Sequence, residues 1–153
     1  FFYFKNSKIK SGDIYPDMFR YKSQRIESFF INSSSENELQ EKIISKNLNF
    51  DIIIEDAGHY LKDQIISLFI LFKSLNSKGT FIIEELEFPN KRKDMNEKNE
   101  KPTLRDILIM IKEGKDFNSK YVTDIQKEYF LKNFESIDIK RGRLSEIAFI
   151  KKR

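Results

Sequence analysis

With 153 residues the chain has the length of one folded domain with a real core, and two compact domains would be crowded. Hydrophobic residues at 39%, 15 of the residues being Phe, exclude a chain disordered throughout. The net charge of +4 comes from Lys scattered among Asp and Glu without a basic stripe, which argues against a nucleic-acid partner, and the abundance of Lys, Ile, Asn and Phe reads as a coding bias.

Cysteine is absent, so neither a disulfide framework nor a thiolate zinc site is available. The longest strongly apolar stretch, Ile65 to Phe72, is too short to span a bilayer. The start Phe1-Phe2-Tyr3-Phe4 lacks the basic segment of a signal peptide. A cytoplasmic protein with no membrane partner is expected, and a first residue other than Met points to a chain that begins inside a longer reading frame.

In chain order, Ser7 to Ile14 reads as a short strand followed by the turn signal Pro16-Asp17. Arg25 to Ile31 reads as a second strand. The polar run Asn32-Ser33-Ser34-Ser35 then caps a helix expected over about Glu36 to Lys46, with Leu39, Ile43 and Ile44 on one face.

Phe50-Asp51-Ile52-Ile53-Ile54 is a β-branched run without alternation, the pattern of a strand buried in a parallel sheet, and it stops at Glu55-Asp56-Ala57-Gly58-His59. Lys62 to Leu75 has the length and apolar density of a core helix, with Asn76-Ser77-Lys78-Gly79 as its stop. Thr80 to Ile83 is the next buried strand and runs into Glu84-Glu85. Strand, helix and strand in this order make a right-handed parallel crossover, which brings Asp56 and Glu84-Glu85 to one sheet edge if the strands are neighbours.

From Glu87 to Pro102 the chain turns polar, and the reading is a mobile loop or lid over the strand ends. Thr103 caps a helix from Leu104 to about Glu113 that Gly114 ends. A short helix near Gln126 to Lys132 precedes two strands, Ser136 to Lys140 and Glu146 to Lys151, joined through Arg141-Gly142-Arg143 as a hairpin. Lys91-Arg92-Lys93 and the tail Lys151-Lys152-Arg153 read as solvated charge.

Ligands of open α/β sheets bind beyond the carboxyl ends of the strands, where this chain concentrates its carboxylates. Asp56, Glu84 and Glu85 at one edge would repel one another, so a divalent cation, a basic side chain or a shared proton must offset the charge, and an oxygen-liganded Mg²⁺ is the natural choice. A lone acid after a buried strand is as readily a helix cap or a solvated group. Convergence from two strands favours the site.

His59, the single histidine, stands three residues beyond Asp56 and belongs to the residue type suited to general-base work near neutral pH. A capping or solvated role is its alternative. Asp13 at the end of the first strand could accept the hydroxyls of a ribose. Asn32 and Ser33 could meet an adenine edge or simply cap the following helix.

Phe50 to His59, then Gln64, Phe72, Leu75, Gly79 and Phe81-Ile82-Ile83-Glu84-Glu85-Leu86, resembles one branch of the class I S-adenosylmethionine (SAM)-dependent methyltransferases, that of metal-dependent macrolide sugar O-methyltransferases. The resemblance implies an α/β, Rossmann-like, mostly parallel sheet with flanking helices and a C-terminal antiparallel hairpin. The chain would be a single methyltransferase-like domain that lacks the first strand and its glycine-rich loop, expected upstream of Phe1. It also implies SAM contacts at Asp13, Ile14, Asn32, Ser33, Asp56 and Ala57, metal ligation by Asp56, Glu84 and Glu85, and His59 as the base.

Three departures from the family pattern stand out: Ala57-Gly58 for Gly-Ser, Glu85 for Asp, and Asn32 for a frequent Asp. The implied activity is methyl transfer to a hydroxyl of a sugar or another small-molecule acceptor, with self-association left open. Two alternatives remain: a nicotinamide-dependent Rossmann oxidoreductase, which would need a glycine fingerprint upstream, and a methyltransferase-fold binding module without catalysis.

Overall fold

The computed structural model describes residues 5–15 and 23–153; the expected Pro16-Asp17 turn lies outside the described residues. Among the described residues, six strands and five α-helices run in the order β1 (Ile9–Asp13), β2 (Ile26–Phe30), α1 (Glu36–Leu39), β3 (Phe50–Glu55), α2 (Leu61–Leu71), β4 (Leu75–Ile83), α3 (Phe88–Lys91), α4 (Leu104–Lys112), α5 (Asp124–Asn133), β5 (Phe134–Arg141) and β6 (Glu146–Lys152).

The mixed α/β architecture, with parallel pairs, flanking helices and a closing antiparallel hairpin, is the one expected. β1 and β2 form a parallel pair, and a second sheet has the order β3-β4-β6-β5. In the second sheet β3 and β4 are parallel neighbours, with Glu55 opposite Ile83, while β6 lies antiparallel to both β4 and β5. The crossover read from the sequence therefore joins adjacent strands.

The expected stop at Asn76-Ser77-Lys78-Gly79 falls inside β4 as an irregularity: Leu75 faces Phe50 and Thr80 faces Ile52, so the residues between them are looped out of the pairing. Gly79 is needed there, since a Cβ would lie 2.9 Å from the Asp51 and Asn76 carbonyl oxygens.

Helix α2 explains why the core holds together. Its residues Leu61, Ile65, Leu68 and Phe69 enter a large cluster with Phe81, Ile83, Leu104, Phe130 and Ile150. Ile66 and Ile70, on another side, join a smaller cluster with Ile31, Leu39 and Ile43. An apolar helix flanked by two cores is the physical counterpart of the uninterrupted Ile, Leu and Phe pattern, and each such side chain withdrawn from water contributes roughly 1.5–3 kcal/mol. α2 continues into a 3₁₀ turn over Phe72–Ser74.

The helix expected over Glu36 to Lys46 is α1 followed by a π-helical turn, Gln40–Ile44. Ser35 is its cap, accepting from the Glu38 N–H. Thr103 accepts from the Asp106 N–H and Asp106 reaches back to the Thr103 N–H, a reciprocal capping box that starts α4. Thr123 and Gln126 do the same for α5.

Two expectations need correcting. The segment from Glu87 to Pro102 is not an open loop: α3 and a 3₁₀ turn, Lys93–Met95, fold it. The Asn96 amide donates to the Pro89 and Glu100 carbonyls, at 3.2 and 3.0 Å, and so ties the segment together. Lys152 is not solvated, because strand alternation puts it on the covered face after Ala148 and Ile150, where it is 8% exposed. Its Nζ donates to the Phe72, Lys73 and Leu75 carbonyls at 3.2, 3.3 and 2.6 Å, capping the end of the α2 segment.

The opposite face of the second sheet differs from the covered one. β3 has no partner beyond β4 among the described residues, and Ile52 and Ile54 are 41% and 59% exposed. No helix among the described residues is long and apolar enough to cross a membrane.

Candidate functional site

The site grows from the ends of β3 and β4. Their parallel pairing continues one step past the strands, where the Glu84 N–H donates to the Glu55 carbonyl at 3.0 Å, so the acids after each strand emerge side by side. The chain then turns sharply on both sides. His59 has φ 56° and Glu85 has φ 51°, left-handed conformations that are strained for side chains of this size.

Those two turns aim the side chains at each other. His59 Nε2 lies 3.0 Å from Glu85 Oε2 and 3.6 Å from Asp56 Oδ1. The ring packs edge-on against Phe88, with centroids 5.8 Å apart, and its Nδ1 is buried without a hydrogen-bond partner among the described residues. An imidazole held on one side by carboxylates, with limited solvent access, can take up and return a proton.

Glu84 completes the acidic group. Burial, and then the neighbouring Asp56 and Glu85 carboxylates, push its pKa up, with His59 opposing them. Burial likewise raises Asp63 at the start of α2, against the pull of Lys62 and His59.

Glu55 is the residue that sequence reasoning passed over. It is 5% exposed; Oε1 accepts from the Ala57 N–H at 3.3 Å, and Oε2 has no hydrogen-bond partner among the described residues. Burial, reinforced by Asp63 and Asp56 and only partly offset by the Ala57 N–H, pushes its carboxyl up to about 7. The expected burial of this run on both faces does not hold, since Ile52 and Ile54 are exposed; the available signal was strand alternation, which puts Glu55 on the same face as Ile53, packed against the core.

Gln64, fully buried on α2, donates from Nε2 to the Glu85 carbonyl at 3.2 Å and so holds the turn that carries Glu85. Glu87 leaves the site. Burial pushes its carboxyl up, but the Glu146 N–H, Lys91 and Arg141 together hold it below the usual range. It clamps α3 to the β5–β6 hairpin.

At the ends of β1 and β2, Asp13 and Asn32 stand on adjacent parallel strands, with the Ile31 N–H donating to the Asp13 carbonyl at 3.0 Å. Asp13 and Ile14 are exposed, and among the described residues the Asp13 carboxylate accepts only from the Tyr15 N–H, at 2.7 Å. Asn32 Oδ1 is taken up by the backbone and hydroxyl of Ser34, which leaves its amide N–H groups to donate. The Ser33 carbonyl accepts from Ser67 on α2 at 3.5 Å.

Three matching solved structures, all of the MycE methyltransferase from the mycinamycin biosynthetic pathway, share the fold of this chain at TM-scores of 0.68 to 0.71. The chain has a methyltransferase fold. Identity to the three is 18 to 19%, and the alignments cover 95% of this chain and 36% of the other, so the chain spans just over a third of the length of those proteins. They were crystallised with Mg and SAH, in one case also with mycinamycin VI. No family model matches the sequence, and neither does any curated protein.

The carboxylates of Asp56, Glu84 and Glu85 are hard oxygen donors of the kind Mg²⁺ prefers, and their mutual repulsion is what a cation would relieve. As the side chains stand, no group of three or more Asp, Glu or His among the described residues is arranged to hold an ion.

Proposed function

We propose that the chain is the catalytic part of a cytoplasmic SAM-dependent O-methyltransferase that transfers a methyl group to a hydroxyl of a sugar or a similar small metabolite. One observation carries the reading: the ends of two adjacent parallel strands present Asp56 and Glu85 around His59, at 3.6 and 3.0 Å. The shared fold with methyltransferases crystallised with Mg and SAH supports it.

His59 removes the proton of the acceptor hydroxyl as the methyl group arrives. Glu85 orients the imidazole and stabilises the imidazolium that forms, while Phe88 limits its rotation. Asp13, Ile14, Asn32, Ser33, Asp56 and Ala57 contribute to the SAM site, with the exposed Asp13 carboxylate as the ribose acceptor. A Mg²⁺ held by Asp56, Glu84 and Glu85 would supply Lewis acidity to the acceptor oxygen.

A glycine-rich strand upstream of Phe1 completes the floor of the cofactor site in this reading. The unpaired edge of β3 and the exposed Ile52 and Ile54 support such a neighbour.

Titration of the full-length protein with S-adenosylhomocysteine (SAH), with and without Mg²⁺, tests the proposal. Saturable SAH binding, together with methyl transfer that needs Mg²⁺, is expected. Binding of NAD in place of SAH would point to an oxidoreductase, and binding of neither to a module without catalysis.

A further inference from the structure

The segment after β4 does more than pass over the strand ends. With the chain from Asn118 to Tyr121 and the start of α2 it lines an open cleft of two lobes, about 580 and 350 Å³, that share Leu61, Lys98, Glu100 and Tyr121. The smaller lobe reaches Tyr60, the residue after His59. A ligand filling both lobes would therefore extend away from the base.

The larger lobe is rich in donors and poor in free acceptors. Lys98, Lys101 and Lys120 face one carboxylate, Glu100. Glu100 is already engaged, accepting from Lys120 at 2.8 Å and from the Tyr121 hydroxyl at 2.9 Å. Lys101 spends one donor on Asp106, at 3.0 Å. Lys98, exposed at the rim, makes no close ion pair among the described residues and acts on Glu100 only through its field.

The Ser119 oxygen accepts from the Tyr121 N–H, so its own hydrogen is left to donate. Leu61, Pro102 and the Tyr121 ring, over which Lys120 Nζ sits 5.0 Å from the centroid, supply the apolar part of the lining. Unspent ammonium donors around an apolar lining match a ring that carries an anion.

We infer that the larger lobe is a subsite for the anionic group of a carbohydrate, a carboxylate or a phosphate, held by Lys98 with Lys101 and Lys120 while Tyr121 packs against the ring. Identifying that carbohydrate as the methyl acceptor rests on the function proposed above; the subsite itself rests on the cleft.

The test measures binding of methyl β-glucuronide, glucose 6-phosphate and the neutral methyl β-glucoside to the full-length protein and to Lys98→Glu, with SAH titrated in parallel. At least one anionic probe is expected to bind about tenfold or more tighter than the neutral one, with the preference shrinking in high salt and in Lys98→Glu. Whether the uronate or the phosphate gains identifies the source of the charge.

Equal binding of charged and neutral probes, or a preference that survives Lys98→Glu, overturns the inference. If SAH binds while no anion preference appears, the subsite fails and the methyltransferase reading stands. A preference without SAH binding would keep the subsite and remove the methyltransferase.

Discussion

The two ends of the four-stranded sheet each bury an ionisable side chain, and the chain treats them in opposite ways. At the end where β6 finishes, Lys152 Nζ meets three carbonyls and ties β6 to the α2 segment. At the end where β3 finishes, Glu55 keeps one oxygen and His59 a buried Nδ1 without a hydrogen-bond partner among the described residues. Satisfied polar groups make the first end a fastening. Unsatisfied buried groups at the second are a standing cost that folding alone gives no reason to keep, which is the signature of a site shaped for binding or chemistry.

The contrast can be broken most sharply at His59. His59→Asn keeps a residue that tolerates the left-handed backbone but removes the imidazole. Methyl transfer by the full-length protein should fall about 10²–10⁴-fold, with SAH affinity and melting temperature little changed. Undiminished turnover would remove His59 from the role of base.

At the other end, Lys152→Met should act on stability alone. It leaves buried carbonyls without their donor and should lower unfolding free energy by about 3 kcal/mol in denaturant titration, with SAH binding retained. A loss well below 1 kcal/mol would show that these carbonyls find other partners.

Glu55 sharpens the comparison through pH. Its folded carboxyl sits near 7, against 4.5 for the ordinary group, so between those values the folded chain holds a proton that the unfolded chain has released. This group therefore lowers stability progressively as the pH rises from 4.5 towards 7 and leaves it level beyond, a loss on the order of 3 kcal/mol, absent below that window. Glu55→Gln should flatten the slope, as read from denaturation midpoints across the window; the same slope in variant and wild type would assign it elsewhere.

Much of the framework was legible because it depends on local pattern. The unalternating run at Ile52-Ile53-Ile54, the dense apolar helix and the Thr103 cap each lie where the sequence reading put them. The expectation that acids from two strands would meet needed only parallel pairing, and β3 and β4 supply it. Lys152 was misread because the strand was ended one residue early; the alternation through Ala148 and Ile150 already pointed inward. Glu87 was read as loop, since nothing local signals that Arg141 and Glu146, far along the chain, close on its carboxylate.

By itself the sequence determined which segments become strands and helices and which of them end in acids, because propensity, hydrophobic period and capping act over a few residues. Only the tertiary structure decided that Glu85 turns to hold His59, that Glu55 loses its water, and that the chain from Asn118 to Tyr121 meets Lys98 across a cleft. Each of these depends on which distant segment packs alongside. Hydrophobic burial drives that packing without direction, so the partners become readable only once strand order and backbone turns are set.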